Sequence, residues 1–495
     1  MSAIVNRGFF ILAGFATIFL VYVIWRYLTL GTYVDHAEPD IAINAWAFLS
    51  DQPLYQEPGT QGYVLYPYGP LLYLANALML GLFGPSIVVS KLANAIACLA
   101  AVGLFIVYLH RRFGWSDLGV GLLAFVCYLL IGAPVSFWVR PESLVVLTVM
   151  LGLLSTLAAD RGRPWVTVAC VAICAGLSMN LKIHSFIFFV PLVIRYCSTR
   201  WMVFWPVMGA IAVATFLLPF ASPSISVINY VLGLQDFLSY RDSSLGALQT
   251  AVKYSLVFYL PGLMLVLAVL TRRDQLDKRD LVYFAAYAIC LSLTIYPASV
   301  SGSTWRQMLP FFPLSIDLGL RFARTMRGNR QVWLGGHTIL VLTLIILSVT
   351  PQKRLLRAFL GIEKWSHATA DEVILAIENN PRRTLQMGYN YRDDHDYRFT
   401  FVRPLLVFAG SPQTISAVDA MERGLAGRQA SAWAIHSIRY CETDVWLVPR
   451  GSGRNFSLRS YYGGRAFPIE LERVFAESYE KVATGNYFET WACRR

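Results

Sequence analysis

Long apolar runs broken by short polar stretches recur through the first 350 residues, and most have the length, about 17 to 25 residues, of a helix that crosses a bilayer core. Eleven are placed near 9–30, 87–109, 118–134, 142–159, 165–181, 184–197, 201–220, 250–270, 281–298, 307–322 and 332–350. The apolar segment from Tyr68 to Phe83 is short and bounded by Pro and Gly, so it is read as an interfacial or re-entrant helix. Counting it as a span would invert everything after it. Beyond Thr350 the pattern turns polar for about 145 residues, enough for a small core. Apolar runs at Thr384–Gly388, Leu405–Gly410 and Val445–Val448 predict short strands, and Asp371–Glu378 and Ile415–Leu425 predict helices. Ser478–Thr484 and Tyr487–Ala492 flank Gly485-Asn486 as a terminal hairpin. The expected fold is thus an α-helical polytopic membrane protein of about eleven spans (residues 1–350), followed by a small α/β domain (351–495).

Composition agrees with the pattern: 56% hydrophobic and 15% charged residues exceed what a soluble core of this size can hide. The net charge of +12 does not point to nucleic acid, because the basic residues fall in short clusters between apolar segments. With the N-terminus cytoplasmic, the inner loops hold a series running from Arg111 and Arg112, through Arg195, Arg200 and Lys278, to Arg327 and Arg330. The outer loops hold only Arg140, Lys182, Arg241 and Arg306, and residues 31–90 contain no Lys or Arg. Positive charge concentrates on the cytoplasmic side of membrane proteins, which supports this orientation and an extracytoplasmic C-terminal domain. The run from Phe9 to Leu30 is too long for a signal-peptide core and is read as the first span. Six cysteines (98, 127, 170, 174, 197 and 290) lie in or beside apolar segments as packing residues. Cys441 and Cys493 remain, able to form a disulfide if their domain faces an oxidising compartment.

Candidate chemistry gathers on the predicted outer face. Asp35, His36, Glu38 and Asp40 follow the first span directly, and a carboxylate partly desolvated at a membrane surface can act as a general base toward a hydroxyl. The plainer reading is a solvated loop with a helix cap at Asp40. Arg140-Pro141-Glu142 opens the fourth span, Lys182 and His184 fill an outer turn, and Arg306 precedes the tenth span. Cations gathered there would bind a phosphate and neutralise a phosphate leaving group, although each alone reads more readily as an interface anchor or snorkelling side chain. Asn44–Leu49 followed by Pro53-Leu54-Tyr55 reads as an amphipathic juxtamembrane helix and turn.

These segments resemble the GT-C glycosyltransferases, in particular bacterial relatives of protein O-mannosyltransferases and lipid A aminoarabinose transferases. The likeness lies in the acidic motif after the first span, the Pro53-Leu54-Tyr55 turn and Tyr68-Gly69-Pro70-Leu71-Leu72-Tyr73. It extends through Leu82-Phe83-Gly84-Pro85-Ser86 to Lys91 and to the Arg140-Pro141-Glu142 turn. It covers residues 1–350 in architecture and is most specific over 35–91. The group's adjacent Asp-Glu pair is here a set of spaced acids, and its Pro-Pro-Leu is Gly69-Pro70-Leu71. The resemblance implies an enzyme of the bacterial inner membrane that moves a sugar from a polyprenyl-phosphate carrier to an envelope glycan, glycolipid or protein by inverting displacement. It also implies a first-loop carboxylate as base: Glu38 first, then Asp40 and Asp35. His36, Arg140, Glu142, Lys182, His184 and Arg306 are assigned to substrate binding by topology.

A lipid-borne donor needs no nucleotide-binding domain, and the sequence has no phosphate-loop motif, dinucleotide fingerprint or His-Glu-x-x-His pair. No metal ligand set is assigned; the loop acids are able to bind a divalent ion, but nothing in their spacing supports one. Two further readings stay open at this point: a lipid or solute transporter using the same charged cavity, and a non-catalytic subunit of envelope polysaccharide assembly. No internal repeat is evident, which counts against an inverted-repeat transporter.

Overall fold

A computed structural model describes residues 2–57, 67–197, 201–238, 244–300, 303–326, 330–390, 394–425, 432–451, 454–460 and 463–494. Arg200, Arg241 and Arg327 of the loop-charge comparison lie outside the described residues. The membrane-region helices are α1 (Ser2–Thr29), α2 (Ala37–Leu49), α3 (Pro70–Phe83), α4 (Ile87–Phe113), α5 (Trp115–Gly132), α6 (Pro141–Asp160), α7 (Pro164–Met179), α8 (Val190–Cys197), α9 (Trp201–Leu217), α10 (Val227–Leu238), α11 (Leu245–Ser255), α12 (Leu260–Arg272), α13 (Lys278–Ser299), α14 (Phe312–Thr325) and α15 (Arg330–Glu378). The polar region adds β1 (Leu385–Met387), α16 (Asp394–Phe399), α17 (Pro404–Phe408), α18 (Ala417–Leu425), α19 (Ala432–Arg439), β2 (Val445–Pro449), α20 (Ile469–Ser478), β3 (Tyr479–Thr484) and β4 (Phe488–Cys493).

All eleven runs read as spans are helical. Among the described residues, eight helices are long and apolar enough to cross a membrane. The other three fall short for different reasons: α7 has 16 residues and α8 has 8, while α14 has 14 and carries Asp317, Arg321 and Arg324. At 1.5 Å per residue, α7 reaches only about 24 Å. The last predicted span does not stop at Thr350. It continues as one 49-residue helix through Pro351 to Glu378 and absorbs the helix expected at Asp371–Glu378.

The chain forms two compact units. The first contains Met1–Tyr27, Asn94–Leu218 and Asp242–Ala358, and the second contains Leu28–Ala93, Pro219–Arg241 and Phe359–Arg495. In the first unit α5 is the central helix, buried along nearly its whole length. α14 packs on α5 and α12, α7 on α6 and α9, and α8 and α11 on α13. A Cβ at Gly176 would lie 2.5 Å from the Ala212 carbonyl oxygen, so only glycine permits the close approach of α7 to α9. Tyr128 stacks on Phe312 at 4.2 Å, and its hydroxyl donates to the Val257 carbonyl at 2.9 Å. The buried ring thus keeps its polar end satisfied. Large apolar side chains on α1, including Phe15, Ile18 and Trp25, stay exposed, as a lipid-facing helix requires.

In the second unit α2 packs on α3 and α17. Ala45, Ala77 and Leu80 form a small core there, covered by Trp46, Phe48 and Phe408. The sheet has the order β1-β2-β4-β3, with β1 parallel to β2 and the other pairs antiparallel. β3 and β4 are the expected hairpin. Trp446 of β2 is buried against Phe456, Phe475 and Tyr479. A disulfide joins Cys441 to Cys493, with Cα atoms 5.9 Å apart. The run Leu405–Gly410, expected as a strand, is instead helix α17. Pro404 at its first position favours a helical start, and a short apolar run carries no periodicity by which to tell the two apart.

Candidate active site

In the second unit the acids after the first span do not form an open loop. α2 begins at Ala37, so Glu38 and Asp40 lie in its first turn and Asp35 just before it. Asp35 Oδ1 accepts the Ala37 N–H at 3.0 Å, an Asx turn that starts the helix. Glu38, fully buried, reaches back to accept the N–H groups of Val34 at 2.9 Å and Asp35 at 2.8 Å. Its carboxylate thus fixes the turn and satisfies donors that would otherwise be orphaned at a helix start. Asp35 and His36 stay partly exposed, 17% and 29% by side chain, with Asp35 Oδ2 3.7 Å from His36 Nδ1.

Asp40 does not cap the helix. Its Oδ1 accepts two bonds from Arg403, from Nη2 at 2.7 Å and Nε at 3.1 Å, and one from Gln413 at 3.3 Å. Oδ2 accepts from Ser416 at 3.0 Å. Arg403 Nη2 also donates to the His36 carbonyl at 3.0 Å, so a single buried guanidinium ties the polar region to the acidic turn. Burial works against the Arg403 charge, but Asp40, Tyr389 and Tyr397 together outweigh it and raise the pKa above the ordinary value. Burial likewise pushes the neighbouring Tyr389 hydroxyl up to about 12.

Lys91, in the first turn of α4 and fully buried, donates to the carbonyls of Leu30 at 2.9 Å and Thr32 at 2.8 Å, just past the end of α1. These carbonyls lie at the negative end of a helix dipole. Its Nζ lies 5.4 Å from the centroid of the Tyr33 ring, whose hydroxyl pairs with Ser90 at 2.5 Å. Burial raises the Tyr33 pKa, so its hydroxyl stays protonated.

The first unit brings together the other predicted residues, which are far apart in sequence. Arg140 and Arg306 both lie over the Trp138 indole, at 5.2 and 5.6 Å from its centroid to the guanidinium carbons. Cations attracted to one ring are held as a pair despite their like charge. The Arg140 turn is anchored from α4: Asn94 donates to the Arg140 carbonyl and, at 2.9 Å, to Ser143. Lys182 is paired, donating to Glu142 at 2.6 Å and Gln307 at 2.7 Å. Beside it, Nε2 of His184 and Oε2 of Glu142 are buried without a hydrogen-bond partner among the described residues. Such groups normally find a partner, so these two are available to a ligand or to water.

Sequence reasoning missed Arg403, Ser416, Gln413, Gln307 and Trp138. A single polar residue in a polar segment, or a tryptophan at a helix end, carries no local signal of its distant partner. Among the described residues, no three His, Cys, Asp or Glu side chains gather as a metal site.

No protein-family model matches the chain, and no curated protein matches it by sequence. The architecture does have counterparts among solved structures. The chain is similar to ArnT from Cupriavidus metallidurans in the apo state, with 13% identity, 97% of each chain covered and a TM-score of 0.57. It is also similar to the same protein bound to undecaprenyl phosphate, with 14% identity, 97% of this chain and 98% of that one covered and a TM-score of 0.52. Along nearly its whole length the chain therefore has the fold of ArnT.

Proposed function

We propose that the chain is a membrane glycosyltransferase that moves a sugar from a polyprenyl-phosphate carrier to an extracytoplasmic acceptor: a glycan, a glycolipid or a protein. The observation that carries this reading is the ArnT fold over 97% of the chain, one ArnT structure holding undecaprenyl phosphate. The acidic turn and the arginine pair support it at the level of side chains.

In the proposed reaction a carboxylate of the acidic turn takes the proton from the acceptor hydroxyl, and the oxygen attacks the anomeric carbon. The bond from that carbon to the carrier phosphate breaks with inversion, and the electron pair leaves on the phosphate. Of the three acids, Asp35 presents a partly exposed carboxylate, with His36 beside it. Glu38 sets the turn through two backbone N–H groups, and Asp40 is engaged by Arg403. Asp35 thus takes the proton, and Glu38 and Asp40 hold it in place. Arg140 and Arg306 neutralise the departing phosphate, with Lys182, Glu142 and His184 lining the same end of the first unit. Assigning both clusters to one reaction is supported by the loop-charge asymmetry, which predicts the non-cytoplasmic side for each, and by the disulfide, a bond that persists in oxidising compartments.

The test is sugar transfer by purified protein in detergent, supplied with a polyprenyl-phosphate sugar and envelope acceptors. Product formation without a sealed compartment supports the reading and excludes transport as the sole activity. Absence of transfer with every acceptor, while the protein still exchanges the lipid between vesicles, would favour a transporter.

A further inference from the structure

At the opposite end of α6 from Glu142, the first unit holds a second charged cluster that the proposed reaction does not use. α6 has 20 residues, so the two ends lie about 30 Å apart, a bilayer core's thickness. Here a cavity of about 440 Å³ opens, lined among others by Arg112, Arg321, Arg324, Asp277, Asp280 and Thr325. That volume falls within the about 300–1,000 Å³ of small-ligand sites and far exceeds what one water fills.

The three arginines are held by partners behind them. Arg321 Nε donates to Asp317 at 2.8 Å, Nη2 to Tyr196 at 2.7 Å and Nη1 to Asp280 at 3.4 Å. Arg112 donates to Asp160 and, at 3.1 Å, to Tyr196. Arg324 Nε donates to Asp117 at 3.1 Å and Nη2 to the Phe113 carbonyl at 2.5 Å. A guanidinium has five N–H donors, so these bonds leave Arg112 and Arg324 with donors unspent. Asp117 and Asp317 are buried at 1% and 0% exposure, so the pairs fix the arginines rather than swinging with them. Among the described residues, the acids lining the cavity are Asp277 and Asp280, with three arginines, and Asp280 is already shared by Arg195 and Arg321.

Planar donors left unspent by these pairings, pre-oriented at the rim of an apolar bundle, suit a phosphate oxyanion. Basic pockets between spanning helices at this level bind anionic lipid head groups. We propose that this cavity binds a phosphate-bearing anion, in the membrane the head group of an acidic phospholipid. It is separate from the transfer site and independent of the proposed reaction.

The experiment is native mass spectrometry of the full-length protein in detergent, titrated with phosphatidylglycerol and, separately, with phosphatidylethanolamine. The zwitterionic lipid controls for unspecific adhesion. The expected result is preferential retention of phosphatidylglycerol, reduced about tenfold in Arg324→Gln, the loss of one or two charge-assisted bonds. Because Arg324→Gln strands the buried Asp117, the same measurement on Arg324→Gln with Asp117→Asn keeps the test open if the single variant fails to fold. Inorganic phosphate at millimolar concentration distinguishes the source: if it displaces the lipid, the site reads phosphate alone; if it does not, the site reads the lipid head group. Equal retention of the two lipids, or undiminished phosphatidylglycerol binding in the double variant, would overturn the proposal.

Discussion

Removing either charge of the Asp40–Arg403 pair should destabilise the second unit more than removing both. Arg403 is 3% exposed and Asp40 10% by side chain, and the carboxylate accepts from Arg403 twice, from Ser416 and from Gln413. In Arg403→Met the carboxylate keeps only Ser416 and Gln413, and in Asp40→Asn the guanidinium keeps only backbone carbonyls. Breaking a buried pair from one side costs about 3–5 kcal/mol, because the remaining charge is desolvated without compensation. For a unit of about 200 residues this lowers the melting midpoint by about 6–20 °C. The double variant Arg403→Met with Asp40→Asn leaves no buried charge: the new amide still bonds Ser416, and the new thioether side chain fills the volume the guanidinium vacates. It should lose less than about 2 kcal/mol, so the double-mutant cycle should return a coupling of at least about 4 kcal/mol. The assay is thermal unfolding of purified protein in one detergent at one scan rate, since unfolding of a membrane protein is governed by rate as well as equilibrium. A double variant that falls by the sum of the two singles would refute the reasoning, because the two charges would then not be compensating one another.

Other consequences follow from the same geometry. Asp35→Asn should lower sugar transfer at least about a hundredfold, the usual contribution of a general base, without moving the melting midpoint, as measured by product formation in detergent. Glu38→Gln should lower both, because it weakens the acceptor of the Val34 and Asp35 N–H groups; an inactive but fully stable Glu38→Gln with an active Asp35→Asn would transfer the base role to Glu38. Lys182→Met should cost about 3–5 kcal/mol by stranding Glu142, and Glu142→Gln in the same chain should recover most of it, read by the same melting assay. Cys441→Ser should lower the midpoint by an amount consistent with about 4 kcal/mol, the chain-entropy value for a loop of 52 residues. Thiol alkylation followed by mass spectrometry should then count one further reactive cysteine, Cys493.

The spans were legible because bilayer crossing imposes one length and one composition on each helix, and the loop arginines mark their ends. Three departed from that pattern: α7 and α8 are shorter than a bilayer crossing requires, and α14 carries Asp317, Arg321 and Arg324, which pair with neighbouring side chains. The hairpin at Gly485-Asn486 was legible from its turn residues, and the Leu405–Gly410 helix was not, since apolar content alone cannot choose between strand and helix. Sequence also located the acids after the first span and the cations Arg140, Lys182 and Arg306. It could not foresee that Glu38 points back into its own turn or that Asp40 meets an arginine 363 residues away. Those pairings are settled by tertiary contacts, to which neither local spacing nor hydropathy responds. The gathering of Arg140 and Arg306 over Trp138 has the same origin.

The account stands or falls on sidedness, and labelling measures it. Single cysteines at Asp35 and Arg306, in a chain with the other accessible thiols replaced, would be exposed to a membrane-impermeant maleimide in intact cells. The account predicts that both are modified from outside, before any permeabilisation. Modification of one from outside and of the other only after the membrane is opened would contradict it, because acid and arginine would then face different compartments.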